Sequence, residues 1–324
     1  MKPGDRVPVG RTDVLVARLG LGTAPLGGWP IAVTEEQYEE TVQAAWTGGI
    51  RHFDTAPFYG FGNAERRLGR ALADKPRSEY TISTKVGRLL RDGPSDNPLY
   101  AGAPPLTPVF DFSYDAVAES IAASRARLGI DRFDMLLVHD PEDDHHAPKE
   151  GALRALYDLR AAGEVGAIGF AMNRSDALAE YADSCDIDLV LEAGRYTLLD
   201  HSALHDLLPT AQRRGISVVA GGVFNSGVLA DPHAKVNFDY QPASAEVIAR
   251  ARELERVCAQ FDAPLRAVAI QFPLHHPAVA SVVVGALSSA EMADTIAMME
   301  FAVPDELWRA LKTAGLLPEG APTP

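Results

Sequence analysis

Cysteine is nearly absent: Cys185 and Cys258 are the only two in 324 residues, far apart and without CxxC spacing. Their scarcity excludes a disulfide framework and a thiolate zinc site, and it fits a reducing cytoplasm. Long apolar runs are missing as well. No stretch of about 18 apolar residues occurs, and the N-terminus has no apolar core of signal-peptide type, so no membrane partner is expected. Positive charge is also scarce. With 30 basic against 44 acidic residues the net charge is −14, a field that repels phosphate backbones and anionic lipid. Nucleic acid is therefore not an expected partner.

Hydrophobic residues make up 47% of the chain and charged residues 23%, enough for a large buried core. Short β-branched runs alternate with longer amphipathic stretches, the pattern of βα units around a parallel sheet. Eight such units can be counted, with strands at residues 19–22, 52–54, 81–85, 135–139, 166–170, 189–192, 217–220 and 282–285. The expected fold is α/β, a (β/α)8 TIM barrel. Residues 1–316 read as one domain, and the Pro-rich stretch 317–324 as a flexible tail. Residues 7–16, with Gly10-Arg-Thr-Asp13 at their middle, resemble an N-terminal β-hairpin able to plug the barrel floor. Two connections, 87–113 and 221–243, are too long for simple turns. Both follow strand ends, so they are expected as binding loops on the C-terminal face.

Three strand candidates end at ionisable residues. Phe53-Asp-Thr-Ala-Pro-Phe-Tyr59 carries Asp54 and Tyr59, Thr81-Ile-Ser-Thr-Lys85 carries Lys85, and Asp134-Met-Leu-Leu-Val-His139 carries His139. In a parallel barrel such ends converge at one mouth, where active sites lie. A nearby ammonium favours the phenolate of a tyrosine, and a carboxylate keeps that ammonium charged and oriented. An imidazole beside them positions a substrate oxygen. The set reads as a general acid/base site for carbonyl and alcohol chemistry. It moves protons only, so hydride must be exchanged with a cofactor.

These residues and the motifs around them resemble the aldo-keto reductase superfamily along nearly the whole chain. Gly20-Leu-Gly-Thr23, Phe53-Asp-Thr-Ala56, Tyr59-Gly60, Asn63-Ala-Glu-Arg-Arg-Leu-Gly69, Ser83-Thr-Lys85, Gly129-Ile-Asp-Arg-Phe-Asp134 and Gly163-Glu-Val-Gly-Ala-Ile-Gly169 follow in order. The resemblance implies an NAD(P)-dependent oxidoreductase in which Tyr59 exchanges the proton, Asp54 and Lys85 tune it, and His139 positions the substrate. It places Gly22, Thr23, Asp54, Asn173, Phe224, Asn225, Ser226, Gly227, Gly285 and Met292 at the cofactor. Asn173 would hold the carboxamide, with Met172 departing from the usual Ser. Glu192 either faces the nicotinamide or is a buried structural carboxylate. Trp29 either walls the substrate pocket or packs within its loop, and Phe58 is expected to line the pocket.

The run Gly221-Gly-Val-Phe-Asn-Ser-Gly227 lacks the aromatic that many relatives stack on the nicotinamide. Together with Ala193-Gly-Arg-Tyr-Thr-Leu-Leu-Asp200 and His139-Asp-Pro141 it resembles the bacterial D-threo-aldose 1-dehydrogenase and L-fucose dehydrogenase branch. That implies oxidation of an aldose at its anomeric carbon to a lactone, with pyridoxal 4-dehydrogenase or other small-aldehyde chemistry as the alternative. A cofactor-binding, redox-sensing subunit is the reading of another class. No Lys or Arg lies between residues 282 and 300, with Met292 where relatives place a phosphate-gripping Arg, so NAD is expected over NADP. No metal is expected. In the acidic, His-containing stretch 139–146, His139 belongs to the acid/base site and the rest reads as a solvated loop; the protein is expected as a monomer or small homo-oligomer.

Overall fold

The computed structural model describes residues 1–29, 31–94, 100–141, 147–234, 236–239 and 241–324. Eight parallel strands close on themselves in sequence order: β3 (Leu19–Gly22), β4 (His52–Asp54), β5 (Thr81–Val86), β8 (Phe133–His139), β9 (Val165–Met172), β10 (Leu189–Ala193), β11 (Ser217–Gly221) and β14 (Val279–Gly285). This is a (β/α)8 TIM barrel. Before it, β1 (Arg6–Pro8) and β2 (Leu15–Ala17) pair antiparallel as the expected hairpin. Val9 and Val16 join the side chains that fill the barrel interior, including Met135, Leu137, Leu189, Leu191 and Val219. The hairpin thus closes the floor with apolar surface.

The helices wrap this barrel because each has one apolar face and a defined start. Thr34 caps α1 (Glu35–Thr47) with a reciprocal capping box through Gln37. Ser113 caps α3 (Tyr114–Leu128), which follows α2 (Asn63–Ala71). After β8 come two helices, α4 (Ala147–Glu150) and α5 (Ala152–Ala161), separated at Gly151. Beyond come α6 (Ser175–Ser184), α7 (Leu207–Arg214), α8 (Ala245–Ala259), α9 (Leu265–Gln271), α10 (Ser289–Glu300) and α11 (Asp305–Thr313). Two of these, α9 and α11, extend past the sequence pattern of eight units. In α11, Leu307, Trp308 and Leu311 are buried on one face after the acidic first turn of Asp305 and Glu306. Among the described residues no helix is long and apolar enough to cross a membrane.

Both long connections contain strands. The first holds the hairpin β6 (Arg88–Asp92) and β7 (Leu106–Phe110); the second holds β12 (Asn237–Phe238) and β13 (Gln241–Pro242). Residues 317–324, expected to be flexible, instead dock: Leu317 and Ala321 are buried in the outer core, and their apolar burial holds the segment down. The proposed loop at 142–146 lies outside the described residues.

Candidate active site

Side chains alternate inward and outward along each strand, so the last inward position of each decides what the mouth offers. On β4, β5 and β8 those positions are Asp54, Lys85 and His139. On the other strands the rim is built from Gly22, Ala171, Ala193, Gly221 and Gly285, in register with one another or with the titratable group next to them. Three of the eight rim positions are therefore ionisable and five are bare. A flat heteroaromatic ring can lie against the bare side, which larger side chains would fill.

Lys85 Nζ donates to Asp54 Oδ2 at 2.7 Å and to the Thr55 carbonyl at 2.9 Å. Both side chains are almost fully buried, and a buried pair of this kind holds only while both charges are present. Tyr59 sits in the turn between β4 and α2, with Lys85 Nζ 4.7 Å from its ring centroid. That turn is pinned from outside: a Cβ on Gly60, whose φ is 59°, would sit 2.4 Å from the Gly27 carbonyl. Only glycine allows this approach. The His139 ring stands edge-on to Tyr59, centroids 5.8 Å apart, and to Phe58 at 6.2 Å. Burial, helped by the charges of Arg88 and Lys85, holds the His139 imidazolium well below the usual histidine range. His139 is neutral at pH 7 and can donate one N–H to a substrate oxygen.

A hydrogen-bonded column continues beneath this group. Ser83 Oγ donates to Asp54 Oδ1 at 2.7 Å, and Ser281 Oγ donates to the Ala17 carbonyl at 2.7 Å. His52 lies between them, Nε2 3.4 Å from Ser83 Oγ and Nδ1 3.3 Å from Ser281 Oγ. Gly20 makes the space, since a Cβ there would lie 2.8 Å from His52 Nδ1. Burial lowers the His52 pKa to about 4, so the ring is neutral and donates to one hydroxyl at a time.

The structure brings Asp54, Tyr59, Lys85 and His139 together. Phe58 is half-buried beside His139 and packs on Phe61 and Tyr100. Trp29 is half-buried in the loop after β3, whose Gly28 carbonyl accepts the N–H of Ala101 from the first long connection. Asn173, half-exposed, follows β9 at the mouth, and its carbonyl accepts from Arg195 Nε at 2.7 Å. After β11, Phe224 precedes Asn225, Ser226 and Gly227, which have φ of 46°, 56° and 104°. Asn225 is buried, and its Oδ1 has no partner among the described residues.

Three expected cofactor contacts are corrected. Thr23 is fully buried, with its hydroxyl donating to the Asp54 carbonyl at 3.1 Å, so it ties β3 to β4. Met292 is fully buried in the outer core, because α10 turns Met292, Thr295 and Met299 inward together. Glu192 points outward: its neighbours Leu189 and Leu191 fill the barrel interior, whereas Val190 belongs to the outer layer. Its Oε1 instead accepts the Arg195 N–H, and its Oε2 is buried without a partner among the described residues. The sequence reading missed Arg88 and Asp140, which form an ion pair beside His139. Asp140 follows His139 directly and Arg88 lies three residues after Lys85, but no sequence signal pairs the two.

Residues 18–315 match the model of the Aldo/keto reductase family. The chain belongs to that family. It is a nicotinamide-dependent oxidoreductase that acts on a small molecule. It is similar to pyridoxal 4-dehydrogenase of Microbacterium luteolum, 40% identical and covering 98% of this chain and 99% of that protein. It is also similar to D-threo-aldose 1-dehydrogenase of a Pseudomonas species, 39% identical over 94% of this chain and 95% of that one. Among solved structures, the glycerol dehydrogenase of Gluconobacter oxydans shares the fold, with a TM-score of 0.78, 22% identity and coverage of 99% and 97%. The five bare rim positions, and Asn225 Oδ1 with no partner among the described residues, fit a nicotinamide cofactor at this mouth.

Proposed function

We propose that this family member oxidises the anomeric carbon of a neutral aldose to the lactone, with NAD as cofactor. The carrying observation is the placement of the Tyr59 ring over Lys85, with neutral His139 edge-on beside it. When bound, NAD would supply the hydride acceptor for C1. Tyr59 takes the proton of the anomeric hydroxyl, assisted by the Lys85 ammonium, which Asp54 and Ser83 hold in place. His139 donates its N–H to the same oxygen and orients it. Asn173 and Asn225 would hold the cofactor's carboxamide and phosphate-bearing side. The 39% identity to D-threo-aldose 1-dehydrogenase supports the sugar.

NAD is favoured over NADP by the first turn of α10. The Glu291 carboxylate lies there, accepting the Leu287 N–H at 2.8 Å, and no Lys or Arg stands between residues 282 and 300 to offset it. A 2′-phosphate at this turn would meet a like charge. The second reading is oxidation of pyridoxal, favoured by the 40% identity to pyridoxal 4-dehydrogenase. NADH formation from L-fucose and D-arabinose, compared with pyridoxal, tests the choice. A kcat/KM higher for pyridoxal than for every aldose tried overturns the sugar reading.

A further inference from the structure

Arg88 begins β6, three residues after Lys85, and its guanidinium lies over the aromatic wall of the mouth. Its carbon is 4.4 Å from the Phe58 ring centroid and 4.7 Å from that of Phe110. Stacking on two rings fixes the plane of the fork. One end of the fork donates to Asp140 Oδ2, the oxygen that also lies 3.4 Å from His139 Nε2. Arg88 Nε is buried without a partner among the described residues.

Asp140 reaches this position through an unusual backbone. Its φ is 43°, a left-handed conformation that a non-glycine residue holds only when its surroundings require it. Its N–H donates to the Ala171 carbonyl at 2.9 Å, on the next barrel strand. The result is a carboxylate turned back beside the imidazole. Neither Arg88 nor Asp140 bonds to the Asp54–Lys85 pair, so the proton relay does not explain them.

The two charges cancel while their donors and acceptors remain. A phosphate or carboxylate would gain from Arg88 but be repelled by Asp140. A hydroxyl both donates and accepts, so it can use both partners. When the reacting oxygen lies against His139, a hydroxyl on the adjacent carbon is about a hydrogen-bond length away. That offset matches the placement of Asp140 beside His139.

We infer that the Arg88–Asp140 pair binds the hydroxyl on the carbon next to the reacting one, selecting neutral polyhydroxylated substrates over deoxygenated or anionic ones. The inference rests on the aldose reading above. The test compares D-arabinose with its 2-deoxy counterpart, 2-deoxy-D-ribose, as kcat/KM with NAD. Wild-type enzyme should prefer D-arabinose by about tenfold to a hundredfold, the discrimination expected of a site built around a hydroxyl. Asp140→Asn and Arg88→Met should each reduce that ratio to within about threefold, and Arg88→Lys should restore part of it. A ratio unchanged in both variants overturns the inference. So does a parallel fall for both sugars with the ratio preserved, which would mean the pair only supports His139. Wild-type enzyme that oxidises pyridoxal but neither sugar removes the aldose reading itself, and the proposed substrate class with it.

Discussion

Replacing Glu192 by Gln separates a structural carboxyl from a cofactor contact. Burial raises the Glu192 carboxyl from its ordinary value of 4.5 to about 8, despite the backbone N–H groups of Arg195 and Tyr196 that favour the anion. Its Oε2 is buried without a partner among the described residues, so nothing there offsets the cost of the charge. The folded pKa lies above the unfolded one, so its contribution to stability is fully present below pH 4.5 and lost as pH rises to about 8. Each pH unit in that window costs the native protein about 1.4 kcal/mol. At pH 7 the loss is on the order of 3 kcal/mol. Gln keeps the oxygen that accepts from Arg195 and has no proton to lose, so the variant should be more stable by about that amount at pH 7 and equal to wild type near pH 4.5. Denaturant unfolding of both proteins at several pH values reads the difference. Catalysis should be unaffected, with kcat and NAD affinity within about twofold, because the side chain points away from the mouth. A pH-independent difference would refute the burial argument, and a tenfold loss of NAD affinity would restore Glu192 to the nicotinamide.

Tyr59→Phe should lower kcat by at least about a hundredfold, the range of general acid–base catalysis, while NAD binding followed by fluorescence stays within a few-fold; retention of a tenth of wild-type kcat removes Tyr59 from the proton transfer. Lys85→Met should move the rising limb of the pH–rate profile for sugar oxidation to higher pH, since the nearby ammonium favours phenolate; an active variant with an unmoved profile shows that another group tunes the base. Ala290→Arg, at an exposed position in the first turn of α10, should raise kcat/KM for NADP relative to NAD by about tenfold, the value of a charged hydrogen bond to phosphate. Wild-type enzyme that already prefers NADP contradicts the like-charge argument at Glu291.

The barrel and its acid/base group were legible because both depend on local pattern. Most strands announce themselves as short apolar runs, and in this topology every strand end arrives at one mouth, so Asp54, Lys85 and His139 could be brought together without any knowledge of packing. Glu192 was harder, because facing is set by a period of two, and the correct strand with the wrong parity reverses a side chain. Met292 could have been read inward from its spacing to Thr295 and Met299, a single helical face. Arg88 and Asp140 meet only because a hairpin folds back over the barrel between β5 and β8. Nothing in the spacing of residues 88 and 140 encodes that approach.

The column through His52 has a consequence for anyone who shortens or redesigns this chain. The N-terminal hairpin looks dispensable, since it precedes the barrel and lies at the end remote from the mouth. Yet the Ala17 carbonyl, on its second strand, receives the Ser281 hydroxyl, and Ser281 stands under His52, Ser83 and Asp54. A chain begun at β3 would release that hydroxyl to reorient toward His52 and change which of its nitrogens carries the proton. Trimming the floor of this barrel would therefore be felt at its roof, in the hydrogen bonding of the carboxylate that holds Lys85.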